Sequence, residues 1–161
     1  MRALLFVAIA LGCGSPGPDG AGPNDASADD AAAREPRVEL GTGRFRFVPI
    51  DGELELVAGP QGGWHVDVGA RMWNLRADGL RIAYEASRGG VPIHVPTEIE
   101  LDTRHLQRAG DHWLRRGDVL QLAIASPDEV TGVELELRVR VWDRAGAAAE
   151  DARTAIVVDR E

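Results

Sequence analysis

Residues 133–141 read Val-Glu-Leu-Glu-Leu-Arg-Val-Arg-Val, with apolar and charged side chains in strict alternation. A period of two places every apolar side chain on one face of an extended strand and every charge on the other. A helix would scatter both sets around its axis, so only a half-buried strand satisfies this stretch. The same period recurs upstream. Glu53-Leu54-Glu55-Leu56-Val57 carries it, and Trp64, Val66, Val68, Ala70 and Met72 share a face opposite His65, Asp67, Gly69, Arg71 and Trp73. Leu80, Ile82 and Tyr84 alternate with Arg81, Ala83 and Glu85, and Ala155 to Val158 form a last apolar run. Turn signals separate the runs at Asp51-Gly52, Gly59 to Gly63, Asp78-Gly79, Arg88-Gly89-Gly90, Gly117-Asp118 and Asp143 to Gly146. Roughly six to nine short strands with one clean polar face predict an all-β domain, an antiparallel β-sandwich.

Two segments fit this pattern less well. Val91 to Leu101 contains Pro92 and Pro96, which restricts it to an edge strand or an extended crossover. Ala109 to Leu122 leaves two readings open: a helical turn, or the loops that Gly110 and Gly117 favour.

The chain ends LELRVRVWDRAGAAAEDARTAIVVD, a long strand, a D-x-x-G turn and a short apolar return. In that turn Asp143 can accept from its own backbone while Gly146 takes a positive φ. The ending resembles the last hairpin of immunoglobulin-like extracellular modules, including the PKD and cadherin-like groups, which implies an immunoglobulin-like fold. A second block, DGELELVAGPQGGWHV from Asp51 to Val66, is similar to a G-P-Q-G-G-x-H-V pattern of uncharacterised secreted lipoproteins from GC-rich Gram-negative bacteria. That family implies fold and location and brings no activity.

The N-terminus bears on location. Arg2 supplies a positive charge, Ala3 to Leu11 a short apolar run, and Gly12 precedes Cys13, the chain's single cysteine. About 20 apolar residues are needed to span a bilayer, so the run reads as a secretion signal. Ala10-Leu11-Gly12-Cys13 resembles the lipobox of bacterial lipoproteins, with Ala10 and Leu11 in swapped order relative to the family's preference. The resemblance implies cleavage before Cys13 and acylation of its thiol and new amine. Three acyl chains would hold a soluble domain on a membrane permanently. The other reading is a plain signal cut near Gly14 or Ser15. By the sorting rule that the family implies, Gly14 in place of Asp favours the outer membrane.

Residues 14–36 hold Gly, Pro, Ala, Ser and Asp and almost no large apolar residue, the composition of a disordered tether. The expected organisation is a signal over residues 1–12, a lipidated Cys13 and linker over 13–36, and a domain over 37–161.

Composition excludes several functions. The chain has 161 residues and a net charge of −8, and its 18 basic residues are all arginine. An acidic chain whose basic pairs are only Arg115-Arg116 and Arg138/Arg140 lacks the clustered basic face that phosphate backbones require, so no nucleic-acid partner is expected. With Cys13 modified or removed, zinc-thiolate chemistry, disulfides and a cysteine nucleophile are unavailable to the domain. No cofactor is expected.

The candidate chemistry is thin. Gly59 to Gly63 lacks a following Lys-Ser/Thr and a helix, so it reads as a turn and not as a phosphate cradle. His65 and Asp67 project from one strand face and could form half a metal site, but His94, His105 and His112 lie elsewhere in the sequence, and surface placement is the expectation. Glu53/Glu55, Glu98/Glu100 and Glu134/Glu136 read as solvated strand faces, with Arg138 and Arg140 available for cross-strand ion pairs. Ser87 and Ser126 lie outside any G-x-S-x-G elbow. The turn aspartates Asp51, Asp78, Asp118, Asp128 and Asp143 lack the motif of a calcium loop.

Trp73, Trp113 and Trp142 are the ligand-binding candidates, either as an exposed stacking patch or as buried packing. The expected function is a non-catalytic, membrane-anchored module that binds or supports an envelope component. Carbohydrate recognition through the three tryptophans is the alternative, followed by metal binding at His65 and Asp67.

Overall fold

The computed structural model describes residues 34–60 and 62–160. The elements in order are β1 (Arg37–Thr42), β2 (Val48–Pro49), β3 (Gly52–Ala58), β4 (Trp64–Trp73), β5 (Leu80–Arg88), β6 (Val91–Pro92), β7 (Glu98–Leu101), β8 (Gln107–Ala109), β9 (His112–Leu122), β10 (Glu134–Trp142) and β11 (Ala148–Asp159). Two short 3-10 helices, Thr103–His105 and Pro127–Glu129, sit in connections. The fold is all-β. Among the described residues, no helix is long and apolar enough to cross a membrane.

The strands pair into one continuous 11-stranded sheet, in the order β2-β1-β4-β3-β11-β10-β5-β6, with β9 and β8 added beside β4 and β7 beside β5. The expectation of purely antiparallel pairing needs correction, because β11 runs parallel to β3, with Ala155 opposite Gly52 and Asp159 opposite Leu56. Alternation reports which face a residue takes and carries no information on a neighbour's direction. The rest of β3 turns to an antiparallel contact with β4 at Val57–His65 and Ala58–Trp64. Strand β3 thereby joins the β1–β4–β9 group to the β5–β10–β11 group.

The apolar faces of both groups meet in one core. Val66, Val68, Ala70 and Met72 of β4 and Leu135, Leu137, Val139 and Val141 of β10 are fully buried, matching the alternation. Every buried member of this core lies between Val38 and Val157.

The Val91–Leu101 segment lies at the edge of β5, as its prolines require: Ser87 pairs with Pro92, and Leu80 with Leu101. Between β6 and β7 the chain also reaches β9, where Val95 N donates to the Gln121 carbonyl and Ala123 N to the Ile93 carbonyl. The unpaired edge of β1 is covered in part by a side chain, since Leu40 N donates to Asp151 Oδ2 at 2.8 Å. Such capping protects an edge from adding foreign strands.

Residues 109–122 are neither helical nor loop along most of their length. They form β8's last residue, a tight turn and the long strand β9. The pairing of β9 with β4 slips between Val68–Asp118 and Ala70–Arg115, leaving Arg116 and Gly117 as a bulge opposite Gly69. Gly117 takes φ 69°, and a Cβ on Gly69 would stand 2.6 Å from the Arg115 carbonyl oxygen. The bulge therefore needs glycine on both strands.

Candidate functional site

The bulge turns Arg115 and Asp118 toward β5, into a buried polar cluster. Asp118 is 4% exposed. Tyr84 Oη donates to Asp118 Oδ2 at 3.0 Å, and Arg115 Nε donates to both carboxylate oxygens at 2.8 and 3.0 Å. Arg115 Nη2 also donates to Asp118, and Nη1 to the His105 carbonyl at 3.2 Å. Burial, reinforced by the Asp118 charge, pushes the Tyr84 hydroxyl well above its ordinary pKa. The hydrogen bond to Asp118 holds the Arg115 guanidinium more firmly protonated. Each hydrogen bond of the cluster closes on another member or on backbone. It joins β9 to β5 across the core.

The same bulge supports a different surface on its outer side. Strands β1 and β2 form a hairpin in which Thr42 faces Val48, and residues 43–47 make its tip. Phe47 is buried across Gly41, where a Cβ would come within 2.4 Å of the ring, and Arg71 stacks on that ring at 4.3 Å. Arg116 donates through Nη1 to the Phe45 carbonyl and through Nη2 to Gln107 Oε1 at 2.7 Å. The tip is thus held by its own buried aromatic and by the bulge. At its apex Phe45 is 86% exposed, between Arg44 and Arg46, which are also exposed. Val48 on the hairpin and Val119, just past the bulge, are exposed as well.

This surface was not among the candidates read from the sequence. Gly43-Arg44-Phe45-Arg46-Phe47 alternates like a strand, and nothing in that pattern distinguishes the buried Phe47 from the exposed Phe45. The cue available was Gly43, which takes φ 98° and starts the turn.

The sequence candidates are dispersed. Trp73, at the end of β4, is half-buried: Arg37 stacks on its ring at 3.8 Å, and the His112 ring lies 5.0 Å away. Asp111 accepts from His112, which holds the Asp111 carboxyl below its usual range. Trp113 faces Met72 across the β4–β9 ladder and packs on the core, with Arg108 over its ring at 5.0 Å. Trp142 is half-buried on β10, between Arg81 of β5 and Ala148 of β11. Trp73 and Trp113 therefore project from opposite faces of neighbouring strands, and Trp142 lies in the other strand group.

His65 and Asp67 share a face of β4 as expected, with His65 Nε2 3.8 Å from Asp67 Oδ1. Among the described residues, no group of three or more His, Cys, Asp or Glu is placed to hold a metal ion. His94 contacts the Ala86 backbone, and His105 pairs with Asp102 at 3.2 Å. The glutamates make ion pairs at the surface, Arg138 with Glu136 at 3.1 Å and Arg140 with Glu85 across strands. Asp143 accepts from Ala145 N at 2.8 Å, Ala147 N at 3.1 Å and Arg76 N at 3.0 Å, with Gly146 at φ 88°, which is the turn that its sequence predicts. Cys13 lies outside the described residues.

Compared with protein-family models and with curated proteins, the chain matches none.

Proposed function

We propose that this chain is a lipid-anchored, non-catalytic module of a bacterial cell envelope, acylated at Cys13, whose immunoglobulin-like domain contacts a second envelope component. The observation that carries the contact is the held hairpin tip, which presents Phe45 at 86% exposure between two exposed arginines. What supports a contact here is the setting of the ring, since Val48 on the same hairpin is also exposed and the tip is fixed from behind by Phe47 and Arg116. The anchor is supported by Ala10-Leu11-Gly12-Cys13 after a short apolar run, and the outer membrane is favoured by Gly14. The immunoglobulin-like layering is supported by the common core between the two strand groups.

The carbohydrate alternative gains no support from the tryptophans, since Arg37 covers a face of Trp73 and the three rings do not share a surface. The proposal is tested in cells with a clickable palmitate analogue and a photo-crosslinking residue at position 45. Label incorporation that disappears in Cys13→Ala, together with cross-links from position 45 to an envelope component, is expected. Unlabelled protein, or a silent position 45, overturns the corresponding half.

A further inference from the structure

Arg71, Arg81, Arg104, Arg115, Arg138 and Arg140 each face a carboxylate. Arg37 and Arg108 instead lie over the rings of Trp73 and Trp113, and Arg88 donates to the Glu129 carbonyl. At the hairpin tip, arginines without a carboxylate partner flank an exposed ring. Arg44 and Arg46 have no carboxylate partner among the described residues, and Arg116 donates to a backbone carbonyl and to the neutral Gln107 amide. The bulge lies against the tip: Arg116 donates to the Phe45 carbonyl, and a Cβ on Gly117 would lie 3.4 Å from the Arg44 carbonyl oxygen. A chain with a net charge of −8 thus places arginines that lack a carboxylate partner beside the most exposed aromatic among the described residues.

We propose that the tip Arg44-Phe45-Arg46, with Arg116 behind it, docks on an anionic lipid bilayer. Guanidiniums suit phosphate oxygens through paired N–H donors, and an aromatic ring at headgroup depth removes its surface from water. A protein hot spot usually places its aromatic at the centre of a patch ringed by other contacts. Here the ring stands at the apex of a loop, a shape that inserts. The acidic remainder of the domain is repelled by an anionic surface, so contact is confined to this end.

The inference rests on the anchored reading for its context, and chain reach permits both contacts together. The tip lies at the far end of β1 from residue 36, about 20 Å along the strand. Residues 13–36 can reach up to about 80 Å, so lipid at Cys13 and the tip can meet one leaflet.

The test uses the chain from Gly14 onward, which carries no acyl group and retains the whole core. Co-sedimentation is measured with phosphatidylcholine vesicles, with and without phosphatidylglycerol. Binding only to the anionic vesicles, weakening with added salt, is expected. Arg44→Ser/Arg46→Ser should weaken it by about 25-fold, roughly fivefold per arginine. Phe45→Ser should weaken it about tenfold, and Phe45→Trp should restore it. Circular dichroism verifies that the variants fold. Absence of vesicle binding, equal binding to neutral vesicles, or indifference to both variants overturns the proposal. So does full competition by inorganic phosphate with Phe45→Ser unaffected, which would identify a soluble anion as the ligand. Cross-links from position 45 to a protein, with vesicles ignored, would overturn it in favour of a protein partner. Palmitate labelling at Cys13 is untouched by these outcomes, so the two readings fail separately.

Discussion

Replacing Asp118 by Asn keeps the side chain's size and removes the charge on which Tyr84 and Arg115 converge. The carboxylate is 4% exposed and accepts from the tyrosine hydroxyl at 3.0 Å and from two guanidinium nitrogens. Breaking a buried ion pair by removing one partner costs about 3–5 kcal/mol. Arg115 retains 23% side-chain exposure and can partly rehydrate, so the expected loss is smaller, about 2–3 kcal/mol. For a domain of this size that lowers Tm by about 6–12 °C. Tyr84→Phe should cost only about 1 kcal/mol, because Asp118 keeps its arginine. The assay is urea unfolding followed by tryptophan fluorescence for the two single variants and the double. In the Asp118→Asn background the tyrosine substitution should cost less than half its value in the wild type, because its acceptor has lost its charge. Strict additivity, or a loss below about 0.5 kcal/mol for Asp118→Asn, would refute the reasoning that this cluster joins β9 to β5.

Tyr84 is the chain's only tyrosine, so tyrosinate absorbance reports it without ambiguity. Its folded pKa is raised, so the stability it adds is complete below about 10, the unfolded value, and is lost as pH rises through the folded value. The absorbance change should lag behind that of free tyrosine and coincide with alkaline unfolding; a titration at the free value contradicts this. At the acid end, the Arg104 hydrogen bond holds Asp102 at about 2. Its contribution is present above the ordinary carboxylate value and lost as pH falls through about 2, and Arg104→Ala should return the NMR-detected carboxyl titration toward the ordinary range. Gly69→Ala should destabilise by about 1–3 kcal/mol in thermal melts, since the new methyl meets the Arg115 carbonyl at 2.6 Å. An unchanged Tm would show that the bulge can relax.

Strands β3, β4, β5 and β10 were legible because each buries one face, and burial of one face imposes a period of two. Strand β9 was not, for a specific reason. Trp113 and Arg115 face inward before the bulge and Asp118, Leu120 and Leu122 face inward after it, so the alternation changes phase at Arg116-Gly117. A pattern search reads that phase change as a break. The glycines that suggested loops mark the turn before the strand and the bulge within it. The Asp143 turn was legible because its chemistry is local. The parallel β3–β11 pairing and the Tyr84–Asp118 contact depend on which segments meet in space, which periodicity does not encode. The hairpin tip was missed because exposure of Phe45 and burial of Phe47 follow from Gly41, whose missing side chain makes room for one ring only.

The central claim is attachment to a membrane through Cys13, and mass spectrometry of the N-terminal peptide from the membrane fraction tests it most directly. The account predicts a mature chain beginning at Cys13 and carrying acyl groups on its sulfur and amine. A mature chain beginning at Gly14 or Ser15, or an intact Met1 terminus with a free Cys13 thiol, would contradict it.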